Sequence, residues 1–150
     1  MATRPDDLLP SASDFRKKLA LAEAEEASKQ ARKQAEAEAE MRALVDHFKK
    51  PSGVSEEEGI RRAVKIIERA VSNGLTEVQV CRFPNQLCTD RGRAINQQEL
   101  GWENTLTGFP KEIYDLWAKY FRPRGYKLKV EIVDFPGGMP GDVGMTLKWD

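Results

Sequence analysis

The stretch Gly125–Trp149, GYKLKVEIVDFPGGMPGDVGMTLKW, decides the fold. From Tyr126 to Asp134 apolar and charged residues alternate, with Leu128, Val130 and Ile132 on one side and Lys127, Lys129 and Glu131 on the other. Side chains on a strand point alternately to its two faces, so this pattern reads as a half-buried strand. Phe135 to Asp142 carries three glycines and two prolines and reads as a hairpin loop. Val143, Met145, Leu147 and Trp149 then alternate with Gly144, Thr146 and Lys148. Two adjacent strands, each with one wet face, predict a sheet that is covered on one side only.

Working upstream, Arg122-Pro123-Arg124-Gly125 ends a helix that opens at Pro110, a residue suited to a first helical turn. Ile113, Leu116, Trp117, Tyr120 and Phe121 fall on one face of it. Glu77 to Phe83 reads as a further strand, with Val78 and Val80 inward. Before it, Ser55 and Glu58 have the spacing of a capping box, and Ile60, Ala63, Val64, Ile67, Ala70 and Val71 follow with helical spacing until Asn73-Gly74. The expected fold is α+β: a two-layer sandwich with a three-stranded mixed sheet and two helices on one face. The crossover from the first strand through the second helix is expected to be right-handed.

The N-terminal half is of another kind. Residues 1–12 read as a disordered tail, and 13–50 as a long charged helix capped by Ser13, rich in Ala, Glu, Lys, Arg and Gln. About 36 helical residues at 1.5 Å each extend for about 54 Å, more than a domain of about 95 residues is wide. Such a helix is expected to project, bend back or pair with another chain. A coiled-coil register is weak, because Ala20, Ala24, Ala27 and Ala31 are small and Gln34 and Glu38 are polar. Real apolar volume sits only at Phe15 and Leu19, and at Met41, Leu44, Val45 and Phe48. Residues 51–54 read as a linker and 55–150 as the folded domain, which holds every aromatic residue except Phe15 and Phe48.

Charge narrows the function classes. Lys plus Arg total 24 and Asp plus Glu total 24, ten of each sign before Pro51 and fourteen after it. A nucleic-acid binder usually has a basic excess, so nucleic acid is disfavoured as a partner. No apolar run approaches the roughly 20 residues that cross a bilayer, and the first residues lack the form of a secretory signal. Two cysteines, Cys81 and Cys88, fit a reduced, cytoplasmic protein.

Chemistry-bearing patterns are few. The single histidine, His47, lies at the end of the charged helix, so neither cysteine has a histidine partner from the domain. Cys81 and Cys88, with six residues between them and no histidine nearby, make a poor zinc set. No phosphate-binding or dinucleotide glycine motif follows a strand. No catalytic residue, metal or cofactor is therefore assigned. The best candidate for a site is the loop 84–109, whose 26 residues exceed an ordinary connection and begin where a strand ends. Within it Asp90, Arg91, Arg93, Asn96, Trp102 and Glu103 are the candidate ligand or partner contacts. The competing reading is an irregular flap held over the core by Leu87, Ile95, Leu100 and Trp102.

Gly125-Tyr126-Lys127-Leu128 entering one strand and Met145-Thr146-Leu147-Lys148-Trp149 ending another resemble features of small uncharacterised alphaproteobacterial and phage-type proteins. The resemblance covers roughly Ser55 to Asp150. It implies a helix-strand-helix-strand-strand order and brings no assigned function. The expected function is a non-enzymatic protein-interaction or scaffold module that uses the helical arm, the 84–109 loop or both, with a protein as partner. The alternatives are a small-ligand or anion site at that loop, in which enzymatic activity stays open, and nucleic-acid binding.

Overall fold

The computed structural model describes residues 4–150, which divide into two units, one up to Met41 and the other Arg42–Asp150. The element order is α1 (Pro5–Leu8), α2 (Ala12–Lys49), α3 (Glu56–Ser72), β1 (Glu77–Phe83), α4 (Arg93–Asn96), α5 (Gly108–Leu116), β2 (Lys127–Ile132) and β3 (Val143–Lys148). A π-helical turn, Trp117–Phe121, continues directly from α5. No helix among the described residues is long and apolar enough to cross a membrane.

In the N-terminal unit, the expected disordered tail falls partly on residues 1–3, which lie outside the described residues. Beyond them α1 is a single helical turn. The cap of α2 is Ser11 rather than the expected Ser13: its Oγ accepts from the Asp14 N–H (3.1 Å), and Asp14 Oδ2 accepts from the Ser11 N–H (3.2 Å). This is a reciprocal capping box with Asp in the place of Glu. No residue of α2 is buried.

In the C-terminal unit the last turns of α2 belong to the core, through Val45 and Phe48. Phe48 stacks on Phe109 with centroids 6.3 Å apart. Gly108, at the start of α5 with φ +62°, makes this approach possible: a Cβ there would overlap the Phe48 carbonyl oxygen and lie 2.9 Å from Lys49 Cα. α3 begins at Ser55, whose Oγ accepts from the Glu58 N–H (3.1 Å). It ends in paired hydrogen bonds from Leu75 N–H to Ala70 O (3.0 Å) and from Gly74 N–H to Val71 O (2.9 Å), the Schellman arrangement.

The sheet corrects one expectation. It is wholly antiparallel, not mixed, in the order β1-β3-β2. Because β3 runs against both neighbours and lies between them, β1 and β2 are parallel but never paired. Leu128, Val130 and Ile132 stand opposite Leu147, Met145 and Val143, as the alternation predicts.

Strand β1 departs from simple alternation. Val78 and Val80 have one parity, Cys81 and Phe83 the other, and no regular strand can point all four inward. A bulge between Gln79 and Cys81 resolves the conflict: Val80 has no partner on β3, and Cys81 and Phe83 face Met145 and Val143. Cys81 and Phe83 are buried, while Arg82 stays outside on Asp142 (2.9 Å) and Asp134 (3.3 Å).

The core joins Cys81, Phe83, Val143 and Met145 of the sheet to Leu87, Cys88, Ile95 and Leu106. Those last four belong to the segment between β1 and α5. Helices pack against the sheet as well: α3 on β1, and α4 on β2.

Candidate functional site

The segment 84–107 is built as a cover. Its chain makes a 3-10 turn at Asn85–Leu87, the short helix α4, and a 3-10 turn at Trp102–Thr105. Thr89 N–H bonds to Thr105 O (2.8 Å), which ties the two ends of the segment together. Thr107 Oγ1 donates to the Leu87 carbonyl. Leu87, Cys88, Ala94, Ile95 and Leu106 are buried beneath it.

Of the six candidate residues on this segment, Asp90 and Arg93 bond within it and Trp102 packs on α5. Asp90 Oδ1 accepts from Gly92 N–H (3.0 Å) and Oδ2 from Ala94 N–H (2.9 Å), so the carboxylate holds the turn into α4. Arg91 takes a left-handed conformation (φ 57°) and is exposed. Arg93 pairs with Glu99 (2.6 Å). Asn96 is exposed at the end of α4, and Glu103 is half-buried in the Trp102–Thr105 turn. Trp102 packs edge-on against Tyr114, centroids 5.5 Å apart. Leu100, expected to pin the segment down, is fully exposed.

A cavity of about 460 Å³ lies elsewhere, between α3 and α5 over the other end of the sheet. None of the six residues lines it. Its floor is Val80 of β1 and Leu147 of β3. One wall is α3, through Gly59, Ala63 and Ile66; the other is α5 and its π turn, through Ile113, Leu116, Trp117 and Phe121, with Phe109 at the head. Pockets that hold small molecules typically measure about 300–1,000 Å³ and are mostly apolar.

Gly59 and Ala63, four residues apart on one face of α3, keep this wall low. A Cβ at Gly59 would stand 3.2 Å from Leu116 Cδ2, so the two helices come close here. The opposite wall contains the π turn, which inserts extra width into the helix; such turns recur at functional sites. Trp117 is fixed within it by its Nε1–H donating to Tyr126 O (3.1 Å), and the Arg122 guanidinium lies 4.8 Å from its ring.

The rim is charged. Lys119 Nζ reaches both oxygens of Glu56 at 3.3 Å, and the Tyr120 hydroxyl donates to the same carboxylate. The Tyr120 hydroxyl and then the Lys119 ammonium hold the Glu56 carboxyl below its usual range. Glu112 Oε1 accepts from Ser52 N–H (3.2 Å), fastening the end of the linker to α5. Arg62 turns to Glu58 (3.4 Å). No buried side-chain nitrogen or oxygen among the described residues lacks a hydrogen-bond partner, so the interior makes no polar demand on a guest.

The nucleophile candidates lie outside the cavity lining. Burial drives the Cys81 thiol up to about 11, and the Cys88 thiol also to about 11, where burial outweighs the opposing Thr105 hydrogen bond. At neutral pH both are thiols rather than thiolates. No group of acidic, histidine and cysteine side chains suited to a metal ion occurs among the described residues. A comparison with protein families, curated proteins and solved structures finds no match to the chain.

Sequence reasoning missed this cleft. Its one available signal was Gly59 inside an otherwise helical run, spaced four residues from Ala63. A glycine there costs about 1 kcal/mol relative to alanine and calls for a packing reason.

Proposed function

We propose that the chain is a non-enzymatic binding module whose domain takes a small apolar guest in the cleft between α3 and α5. The domain is then a two-layer sandwich with the guest held between the helices and the sheet. One observation carries the reading: a cavity of about 460 Å³ walled by Ala63, Ile66, Ile113, Leu116, Trp117 and Phe121 and rimmed by charge. A non-catalytic role is supported by the two cysteines, which are buried and protonated, and by His47, which rests edge-on against Phe48 at 5.7 Å. The two free thiols fit a cytoplasmic setting.

The test is a ¹⁵N-HSQC titration with 4-phenyl-1-butanol, a neutral apolar probe. Shifts are expected at the amides of Gly59, Ala63 and Ile66 and at the Trp117 indole, and Ala63→Leu should remove them by filling the cleft. A titration that leaves these resonances in place in the wild type sinks the reading.

A second reading, protein-partner binding through the arm, is favoured by α2 itself. None of its residues is buried, and Phe15, Leu19 and Leu21 are 51%, 60% and 65% exposed. Sedimentation with and without residues 1–41 tests self-association. Nucleic-acid binding has the least support, because the charges balance and several basic side chains are answered locally: Arg61 by Glu57 and Glu58, Lys129 by Glu77 and Glu131.

A further inference from the structure

We infer that the guest is a lipophilic cation, an apolar body carrying an ammonium-type head; this rests on the cleft reading above. Five charged groups line the cleft: Glu56, Arg62, Glu112, Asp115 and Lys119. Both cations are spoken for. Lys119 is held by Glu56 at 3.3 Å and Arg62 by Glu58 at 3.4 Å. The carboxylates of α5 have no such partner, Glu112 accepting only the Ser52 N–H (3.2 Å). Neither Glu112 nor Asp115 has a cation within 4.0 Å among the described residues, and they lie three positions apart, on one helix face. Among the five lining groups the charge left without an ion-pair partner is therefore negative.

The interior adds to the argument. With its own polar groups satisfied, it rewards a hydrocarbon or aromatic body and no hydrogen-bonding one. Phe109, Trp117 and Phe121 line it, and aromatic rings attract a cation through their π faces. An anionic head would meet Glu112 and Asp115 and be repelled. A neutral one would bind through its body alone.

The experiment compares three probes with one body: 4-phenylbutylamine, 4-phenyl-1-butanol and 4-phenylbutyrate, each titrated by HSQC into the full chain at low salt. The amine is expected to bind roughly threefold to tenfold tighter than the alcohol, the order exposed charge pairs supply, and the acid weakest. Glu112→Gln with Asp115→Asn should bring the amine to the level of the alcohol and leave the alcohol unchanged. Both substitutions are isosteric and exposed, and the HSQC spectrum reports whether the fold is kept. Added salt should weaken the amine alone. Equal binding of the three probes, or preference for the acid, overturns the cation assignment and leaves the cleft standing. An amine preference that survives the double substitution overturns the role of Glu112 and Asp115. No shift at the cleft with any probe overturns the cleft reading itself.

Discussion

The apolar face of one small sheet is covered in two different ways. Over Phe83, Val143 and Met145, the irregular segment 84–107 drives Leu87, Cys88, Ile95 and Leu106 into near-complete burial. Over Val80 and Leu147, α3 and α5 with its π turn leave a cleft. Of the residues of α3, only Ala70 is buried. The difference follows from geometry. An irregular chain can send a side chain wherever the surface dips. A helix offers a ridge of fixed spacing, and beside the Gly59–Leu116 approach the space between α3 and α5 is left open. The loop, the candidate site from sequence, covers one end of the sheet; the helices, which looked like plain core, frame the cavity at the other.

The largest expected contrast is chemical. Cys81 and Cys88 belong to the sealed end, and burial raises both thiols to about 11. At pH 8 their thiolate population should be about 100-fold below that of unfolded thiols, so a disulfide reagent should modify them only after unfolding. The sign for stability follows from the same shift. A thiol whose folded pKa is raised favours the folded chain at all pH below its unfolded value. That contribution is lost as pH rises through the folded pKa, here approaching about 11. Rapid labelling of the native protein at pH 8 would break the claim that this end is sealed.

Next in size is the cost of truncation. Phe83→Ala, at 1% exposure, should lose about 3–5 kcal/mol in urea unfolding. Ile66→Ala, at 39% exposure on the cleft wall, should lose about 1 kcal/mol or less. Equal losses would mean that the two ends are packed alike. At the seam, Gly108→Ala combines a left-handed backbone with overlap on the Phe48 carbonyl, and about 3 kcal/mol should go. Because the clash lies against the end of α2, the Phe48 and Phe109 ring resonances should shift most.

How much of this contrast was readable in the sequence depends on which residues carried it. Strands β2 and β3 were legible because each alternates without interruption, and their register follows from the hairpin. Strand β1 was only half legible: Val78-Gln79-Val80-Cys81-Arg82-Phe83 changes parity midway, which is the mark of a bulge. The antiparallel order was hidden, because alternation fixes which face a residue takes and not which strand lies beside it. The end of α2 joined the domain through Val45 and Phe48, whose apolar volume was visible, although the helical pattern itself ran unbroken to Lys49. The candidate site was the least legible. Asp90 and Arg93 have the composition of a binding loop, yet Asp90 caps a turn and Arg93 pairs with Glu99. Polar residues that fasten a loop and polar residues that hold a ligand are the same residue types, and only geometry separates them. The cleft depends on how far apart two helices sit, a distance that no local pattern encodes.

The smallest expected effect is the most direct probe of that distance. Ala63→Leu adds three carbon atoms to the low wall of α3, toward a cavity of about 460 Å³. In a packed core such an insertion typically costs about 1–3 kcal/mol, because neighbours must move. In an open cleft it buries apolar surface without displacing anything, and cavity-filling substitutions commonly add about 0.5–2 kcal/mol. Ala63 is only half-buried, so a gain of about 0.5–1 kcal/mol is expected from urea unfolding. The same residue placed at Ala94, 5% exposed beneath the sealed end, should destabilise by about 1–3 kcal/mol. Opposite signs from one chemical change at two alanines would establish that the two ends of the sheet differ in packing and not merely in exposure. The same sign at both would leave the cleft as an ordinary, fully occupied helix interface.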